Sequence, residues 1–230
     1  SSDVTSSYNT GDSVVIPFLL DYGVTKLDIV VGTNGHDDHI QGLIPVLKDF
    51  RVDNFIIPDC ADKKEFDELL KVSELRAINV YSLKKGDKIK LDRKTYFYVL
   101  NPDIAFNDKK QSLNNSSLVL KLHYKDVSML FTGDIEKEIE NKLVQDEENI
   151  GADILKAAHH GSDTSTTQDF LEIVSPKALV ICVGKNNFGH PSQEVIERLE
   201  EKKIPVFRTD EHGAVIIKSN GRRITVRTML

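Results

Sequence analysis

Apolar positions along this chain switch between two rhythms, and the switches predict its elements. Residues 28–31 are mostly apolar and β-branched, and Gly32 breaks the run, which predicts a buried strand over 27–31 ending in a turn. Ile40, Leu43, Ile44 and Leu47 then recur at helical spacing, with a helix over 43–49. Upstream, residues 14–22 begin apolar with Pro17 near the start, predicting a short helix that ends at Gly23, while the Ser-, Thr-, Asp- and Asn-rich residues 1–11 read as loose. Downstream, 54–57 reads as a second buried strand and 63–71 as an amphipathic helix carrying Phe66, Leu69 and Leu70 among charges. Residues 77–81 read as a strand, 87–91 and 94–100 as paired strands, and 101–115 as a polar loop.

The second half follows the same order. Residues 117–124 and 127–131 read as strands joined by a hairpin turn at Lys125-Asp126. A charged amphipathic helix follows over 135–145, then a strand over 153–157, a helix over 169–174 and a buried strand over 178–183. Residues 192–202 predict a helix with Ser192 as N-cap and Glu194 and Arg198 as an i,i+4 pair. Strands over 205–208, 214–218 and 223–228 close the chain. No linker, low-complexity segment or short repeat interrupts it.

The polar clusters fall at strand ends. Residues 34–39, Asp134, residues 159–162 and residues 184–190 each follow a predicted strand. Strands of one sheet present their ends along a common edge, where loops converge. One such cluster is ordinary turn chemistry, with Asp residues capping a helix. Four are hard to explain as surface alone. His36, Asp37, Asp38 and His39 are consecutive, and imidazole nitrogen and carboxylate oxygen both suit a divalent metal such as Zn or Mn. His39, Asp38, Asp134 and one of His159 and His160 supply two imidazoles and two carboxylates, enough to hold one divalent cation and leave a place for water. Ser162, Thr164, Ser165, Thr166, Lys185, Asn187 and His190 lie on the adjoining loops and offer the donors a phosphate needs.

Composition narrows this little. A length of 230 residues with 40% apolar content suits one large domain or two small ones. The net charge of −6 argues against a surface basic throughout, though not against a local basic groove. No apolar run is long enough to span a bilayer and no signal peptide is present; the chain begins at Ser1 without a Met and reads as processed or cut from something longer. Cys60 sits in a turn and Cys182 in an apolar run, where it reads as a buried small hydrophobe, so a disulfide framework is not expected and the compartment stays open. His123 reads as a surface or sheet histidine and His212 as a turn residue. Lys84, Lys85, Lys88 and Lys90, and Lys109 with Lys110, read as solvated charges unless they face the site, where they would track a phosphate backbone.

Together these motifs resemble a known family. The run Asn34-x-His36-x-Asp38-His39 resembles the His-x-His-x-Asp-His signature of the metallo-β-lactamase fold, Thr132-Gly133-Asp134 its bridging aspartate, and His159-His160-Gly161-Ser162 its last metal histidine. Residues 114–120, 130–135, 156–162, 164–166, 175–177, 183–187, 189–191, 208–210 and 213–214 resemble the soluble domain of ComEC-type competence proteins, in order and across almost the whole chain. The resemblance implies an α/β four-layer αββα sandwich, a single domain over 1–230, and a metal-dependent hydrolase using a metal-activated water. It implies a phosphodiester of DNA as substrate, a membrane channel as partner or fusion, and the extracytoplasmic face of a bacterial membrane, with a cytoplasmic place left open.

Residue by residue, it implies a metal held by Asp38, His39, Asp134 and His160, the last taken over His159. A second position, with His36 and a share of Asp134, is expected to be weak or empty, because the family's first histidine is Asn34 here and residues 114–117 contain no His. Asp38 and His190 are the expected catalytic groups. Asn34, Asn115, Ser162, Thr164, Ser165, Lys185, Asn187 and His190 are the expected substrate contacts. The family's opening strands, roughly the first 30–40 residues, have no counterpart before Val14. Their loss would leave an open sheet edge for something to cover, such as a second copy in a homodimer. Two other readings stay in view. One is a small phosphoester hydrolase of the phosphocholine type, which would want an aromatic-lined pocket in a chain with no Trp. The other is a catalytically impaired scaffold, which Asn34 favours.

Overall fold

Sheet formation divides the chain into two compact units, residues 1–83 and 84–230. The structure, a computed structural model, describes residues 9–59, 63–103, 112–146 and 148–230. The expectations for residues 1–8, Cys60, Lys109 and Lys110 fall outside these.

In the first unit, β1 (Lys26–Val31), β2 (Arg51–Pro58) and β3 (Asn79–Leu83) form a parallel sheet in that order. Parallel pairing needs crossovers. The first is made by α2 (Asp37–Ile40) and α3 (Leu43–Asp49), the second by α4 (Asp67–Leu75). Leu47, Phe55, Phe66 and Leu69 are buried in its core, against which α1 (Ile16–Asp21) lays Ile16 and Leu19. The helix expected over 63–71 begins instead as a 3-10 turn over residues 63–66, and α4 runs on to Leu75. β1 lies at an edge of its sheet.

In the second unit, seven strands among the described residues pair in the order β10-β9-β8-β7-β6-β5-β4. They are β4 (Lys88–Lys90), β5 (Thr95–Asn101), β6 (Val119–Tyr124), β7 (Val127–Phe131), β8 (Ile154–Lys156), β9 (Ala178–Ile181) and β10 (Val206–Arg208). Neighbours from β4 to β7 pair antiparallel; β7, β8, β9 and β10 run parallel. One core packs Leu130, Leu155, Leu179 and Ile181 with Ile139 and Leu143 of α5 (Lys137–Gln145), Phe170 and Val174 of α6 (Gln168–Val174), and Val195 and Leu199 of α7 (Gln193–Glu201). A second cluster gathers Ile154, Ala178 and Val180 with Val215, Ile217 and Ile224 of the hairpin β11 (Val215–Ser219) and β12 (Ile224–Thr228). Ser192 caps α7 by accepting from Val195 N at 3.3 Å, and Arg198 pairs with Glu194 at 2.7 Å, both as expected. Among the described residues, no helix is long and apolar enough to cross a membrane.

Two expectations change. The strands feeding the polar clusters do not share one sheet: β7, β8 and β9 do, and β1 belongs to the other. Cys182 is exposed rather than buried: β9 ends at Ile181, and Cys182 lies just beyond it, between the buried Ile181 and Val183.

Candidate functional site

In the first unit, β1 delivers the chain through Gly32 into the loop that carries His36, Asp38 and His39. A Cβ on Gly32 would come within 2.9 Å of the Phe66 ring, so the turn onto the loop needs glycine. Asn34 is fully buried, and its Oδ1 accepts from His36 N at 3.0 Å. This is an Asx turn that sets the start of α2. Asn34 is thus a loop builder, and its amide oxygen is engaged by backbone. His36 occupies the N-cap position with extended backbone. Asp38 is exposed and His39 half-buried. His39 Nδ1 lies 2.9 Å from Thr33 Oγ1, while its Nε2 lies 3.6 Å from Asp38 Oδ2. With Nδ1–H donating to the threonine hydroxyl, the lone pair of His39 is at Nε2, on the Asp38 side.

In the second unit, β7, β8 and β9 end side by side, and each end carries polar chemistry. Asp134 follows β7 through Gly133, whose φ of +56 and 2.6 Å virtual-Cβ approach to Ser117 exclude any side chain there. Asp134 is 2% exposed, and Ser117 Oγ accepts from its backbone N–H at 3.1 Å. Its carboxylate meets Lys156 Nζ at 3.7 Å on one oxygen and His160 Nε2 at 3.5 Å on the other. Lys156 also donates to Gly133 O at 2.9 Å.

After β8, His159, His160 and Gly161 all take the left-handed backbone, at φ of 47, 54 and 82. Two consecutive non-glycine residues there store strain, which tight packing must offset. The reward is separation of the two rings. His160 Nδ1 binds Cys182 O at 2.7 Å, leaving Nε2 toward Asp134. His159 turns the other way, with Nδ1 at 3.9 Å from Glu136 and 3.5 Å from Thr164 Oγ1, and its ring 5.5 Å from His190. Burial, ahead of any charge, lowers the pKa of His159, and likewise that of His190. Both therefore favour the neutral ring.

The loop after β9 is organised by Asn186. Its Oδ1 accepts from Phe188 N and His190 N, and its Nδ2 donates to Gly184 O and His190 O. Lys185 and Asn187 on the same loop are exposed. Thr209 ties down the root of the loop: its Oγ1 accepts from Val183 N at 2.8 Å and donates to Val183 O at 2.7 Å.

Each of the remaining expected contacts has a hydrogen-bond partner within the chain. Ser165 is buried and donates to Ile135 O at 2.9 Å. Asn115 is buried, and its Oδ1 accepts from Glu136 N at 2.8 Å. Ser162 and Thr164 pair hydroxyl to hydroxyl at 3.0 Å, and Thr164 also reaches Glu136 at 3.4 Å.

Among the described residues, Asp38 and His39 of the first unit and Asp134 and His160 of the second are the His/Asp groups suited to hold a metal ion; His36 and His159 are not among them. The local geometry fits a divalent ion. Both histidines of the set have Nδ1 anchored by an oxygen and present Nε2, the outer-shell arrangement that orients imidazole ligands. Thr33→Val is expected to lower metal affinity about 10- to 100-fold by releasing the His39 ring. Titration of the metal-free chain with Mn or Zn measures it, and wild-type affinity in the variant would remove Thr33 from this role. Thr33, Glu136, Lys156 and Asn186 were not singled out by sequence reasoning. Only Lys156 had a visible signal, a cation just ahead of the double histidine.

Comparison with known proteins finds one family model, two relatives and one solved structure that bear on the site. Residues 111–185 match the family model for the metallo-beta-lactamase superfamily. The chain is 35% identical over 217 residues to ComE operon protein 3 of Bacillus subtilis (strain 168), a match spanning 94% of this chain and 27% of that protein. It is 36% identical over 104 residues to competence protein ComA of Neisseria gonorrhoeae, across 44% of this chain and 15% of that one. The chain thus spans about a quarter or less of the length of these relatives. Among solved structures, a putative metal-dependent hydrolase from Parabacteroides distasonis ATCC 8503 superposes with a TM-score of 0.50 at 18% identity, covering 80% of this chain and 76% of that one. At that identity the likeness speaks for the fold alone.

Proposed function

We propose, from the premise that the chain has the metallo-β-lactamase-superfamily fold and is homologous to ComE operon protein 3 along nearly its whole length and to competence protein ComA over 44% of it, that it hydrolyses phosphodiester bonds of DNA with one divalent metal. On this reading residues 1–230 act as a single domain, and Asp38 and His39 join Asp134 and His160 around one ion. The observation that carries it is the anchoring of both histidines through Nδ1, which leaves two Nε2 lone pairs with two carboxylates beside them. When bound, the ion supplies Lewis-acid stabilisation of developing charge and an acidified water.

The rest falls to this chain's own side chains. Asp38 is the exposed carboxylate of the set and is placed to take a proton from attacking water. Lys156 holds a positive charge against the buried Asp134 carboxylate. His190, half-buried and fixed through Asn186, is placed to donate to a phosphate oxygen, as are the exposed Lys185 and Asn187. Asn34, Asn115 and Ser165 act by shaping the loops. Ser162 and Thr164 hold the His159 side of the site. A second metal position is weak or empty, since Asn34 is turned into its own loop. A membrane channel and a second copy of the chain at the β1 edge are partners this reading allows.

The test is cleavage of single-stranded DNA and of bis(p-nitrophenyl) phosphate by metal-free chain resupplied with Mn or Zn. Metal-dependent cleavage of both, abolished by chelator, is the expected result. Cleavage of a phosphocholine ester but of neither phosphodiester would replace the substrate class. Absence of both metal retention and cleavage would leave a scaffold of the same fold.

A further inference from the structure

The strands β4, β5 and β6 carry an unusual face. Cross-strand pairing sets Lys90 beside Tyr96 and Tyr96 beside His123; in the next row, Lys88 pairs with Tyr98 and Tyr98 with Lys121. Directly paired residues share a face, and so do residues two apart. Three lysines, two tyrosines and a histidine therefore stand together. The Tyr96 and His123 rings stack with centroids 4.7 Å apart and planes inclined by 18°. Lys88 Nζ lies 3.6 Å from the Tyr96 ring centre. Tyr98 is 37% exposed, and Lys88 and Lys90 are exposed.

A cavity of about 350 Å³ opens among Lys88, Tyr96, Tyr98, Lys121, His123 and Glu148, within the size range of small-ligand sites. Two of these charges are already used. Glu148, the carboxylate of the lining, pairs with Lys85 at 3.0 Å. Lys121 is buried and donates to Asn149 O at 2.7 Å and Asn149 Oδ1 at 2.9 Å. Lys88 and Lys90 take part in no ion pair among the described residues, so they are the cations available to an anionic ligand. A hairpin that needed only solvation would require the lysines, but not stacked rings facing an open cavity.

We propose that this face is a second, non-catalytic binding site for single-stranded nucleic acid. An unpaired base stacks on the Tyr96–His123 pair or on Tyr98, and Lys88 and Lys90 meet the flanking phosphates. Duplex DNA, whose bases are already stacked on each other, presents no free ring face to these side chains. His123 pairs with Ser128, six residues before Asp134 along the chain, so the face lies on the order of 20 Å from that end of β7. A strand of several nucleotides spans this distance. The proposal deepens the DNA reading above and rests on it for the identity of the polymer.

The experiment is fluorescence anisotropy of a labelled oligothymidylate with the whole chain in chelator, so that no hydrolysis intervenes. Tyr96→Ala is expected to weaken binding about fivefold or more. Lys88→Ala is expected to reduce the slope of log affinity against log salt by about 0.7. Tyr96→Phe should bind as wild type does, which separates ring stacking from misfolding. Wild-type affinity in both Tyr96→Ala and Lys88→Ala, or duplex bound as tightly as single strand, would overturn the site. Hydrolysis of bis(p-nitrophenyl) phosphate by the same proteins is read separately: its absence in wild type sinks the catalytic reading and leaves the binding result standing.

Discussion

Asp134→Asn is expected to lower phosphodiester hydrolysis by at least about 100-fold, since even residues that merely orient a metal ligand are worth 10- to 100-fold. The side chain is buried, and Ser117 Oγ pins its backbone N–H at 3.1 Å. Its two oxygens divide their work: one faces His160 Nε2 at 3.5 Å, the other Lys156 Nζ at 3.7 Å. Asparagine keeps the volume and removes the charge. One amide oxygen cannot serve both the ion and the ammonium, and the amide nitrogen presented to either neighbour is a donor facing a donor or a cation. Lys156 keeps its bond to Gly133 O, so the strand end should hold its shape. Hydrolysis rate, metal content and circular dichroism on one sample separate these effects. A folded variant with wild-type hydrolysis would remove Asp134 from the chemistry.

Glu140→Ala is expected to cost about 2 kcal/mol of stability, because it strands one buried and one partly buried backbone N–H group, the buried one at roughly 1–3 kcal/mol. Glu140 is fully buried in α5, where its two oxygens accept from Thr166 N at 2.6 Å and Thr167 N at 2.8 Å. Arg198 closes the same corner by donating to Thr166 O at 2.7 Å. This clamp fixes the far end of the loop that begins at His159. Burial, as the foremost cause, raises the Glu140 pKa above its ordinary value. A raised folded-state pKa means that the stability it contributes is complete below the unfolded value, about 4.3, and is lost as pH rises through the folded one. Glu140→Gln keeps one acceptor and cannot ionise. The margin of wild type over Glu140→Gln should therefore be largest in acid and narrow toward neutral pH. Urea unfolding of the three proteins across that range measures it. A margin that widens with pH would reverse the assignment.

Much of this molecule is legible in the sequence because its information is local. The β-branched run before Gly32, the Lys125-Asp126 turn and the Ser192 cap with its Glu194–Arg198 pair depend on neighbours within a few residues, and each element forms where expected, although Val30 is the one residue of β1 that is buried. The four strand ends with polar clusters are also real, and the fold they pointed to by resemblance is the one the family match and the solved structure support. The partition into sheets was not legible, since it depends on long-range pairing: β1 joins β2, while β7, β8 and β9 join one another. Cys182 misleads because alternation along an apolar run does not reveal where a strand stops. The choice between His159 and His160 turns on two left-handed residues in succession, which no spacing rule announces. Thr33 and Asn186 act through one hydrogen-bond partner or a few, and nothing in their identity sets them apart from other loop residues.

The number of ions the chain holds is the most direct measure of a single-ion centre. Metal-free protein titrated with Mn or Zn, with bound metal counted per chain by elemental analysis after exchange, is predicted to retain about one. Two ions per chain would contradict the reading of Asn34 as a loop residue, and with it the single-ion centre. None, in folded protein, would contradict the metal centre itself.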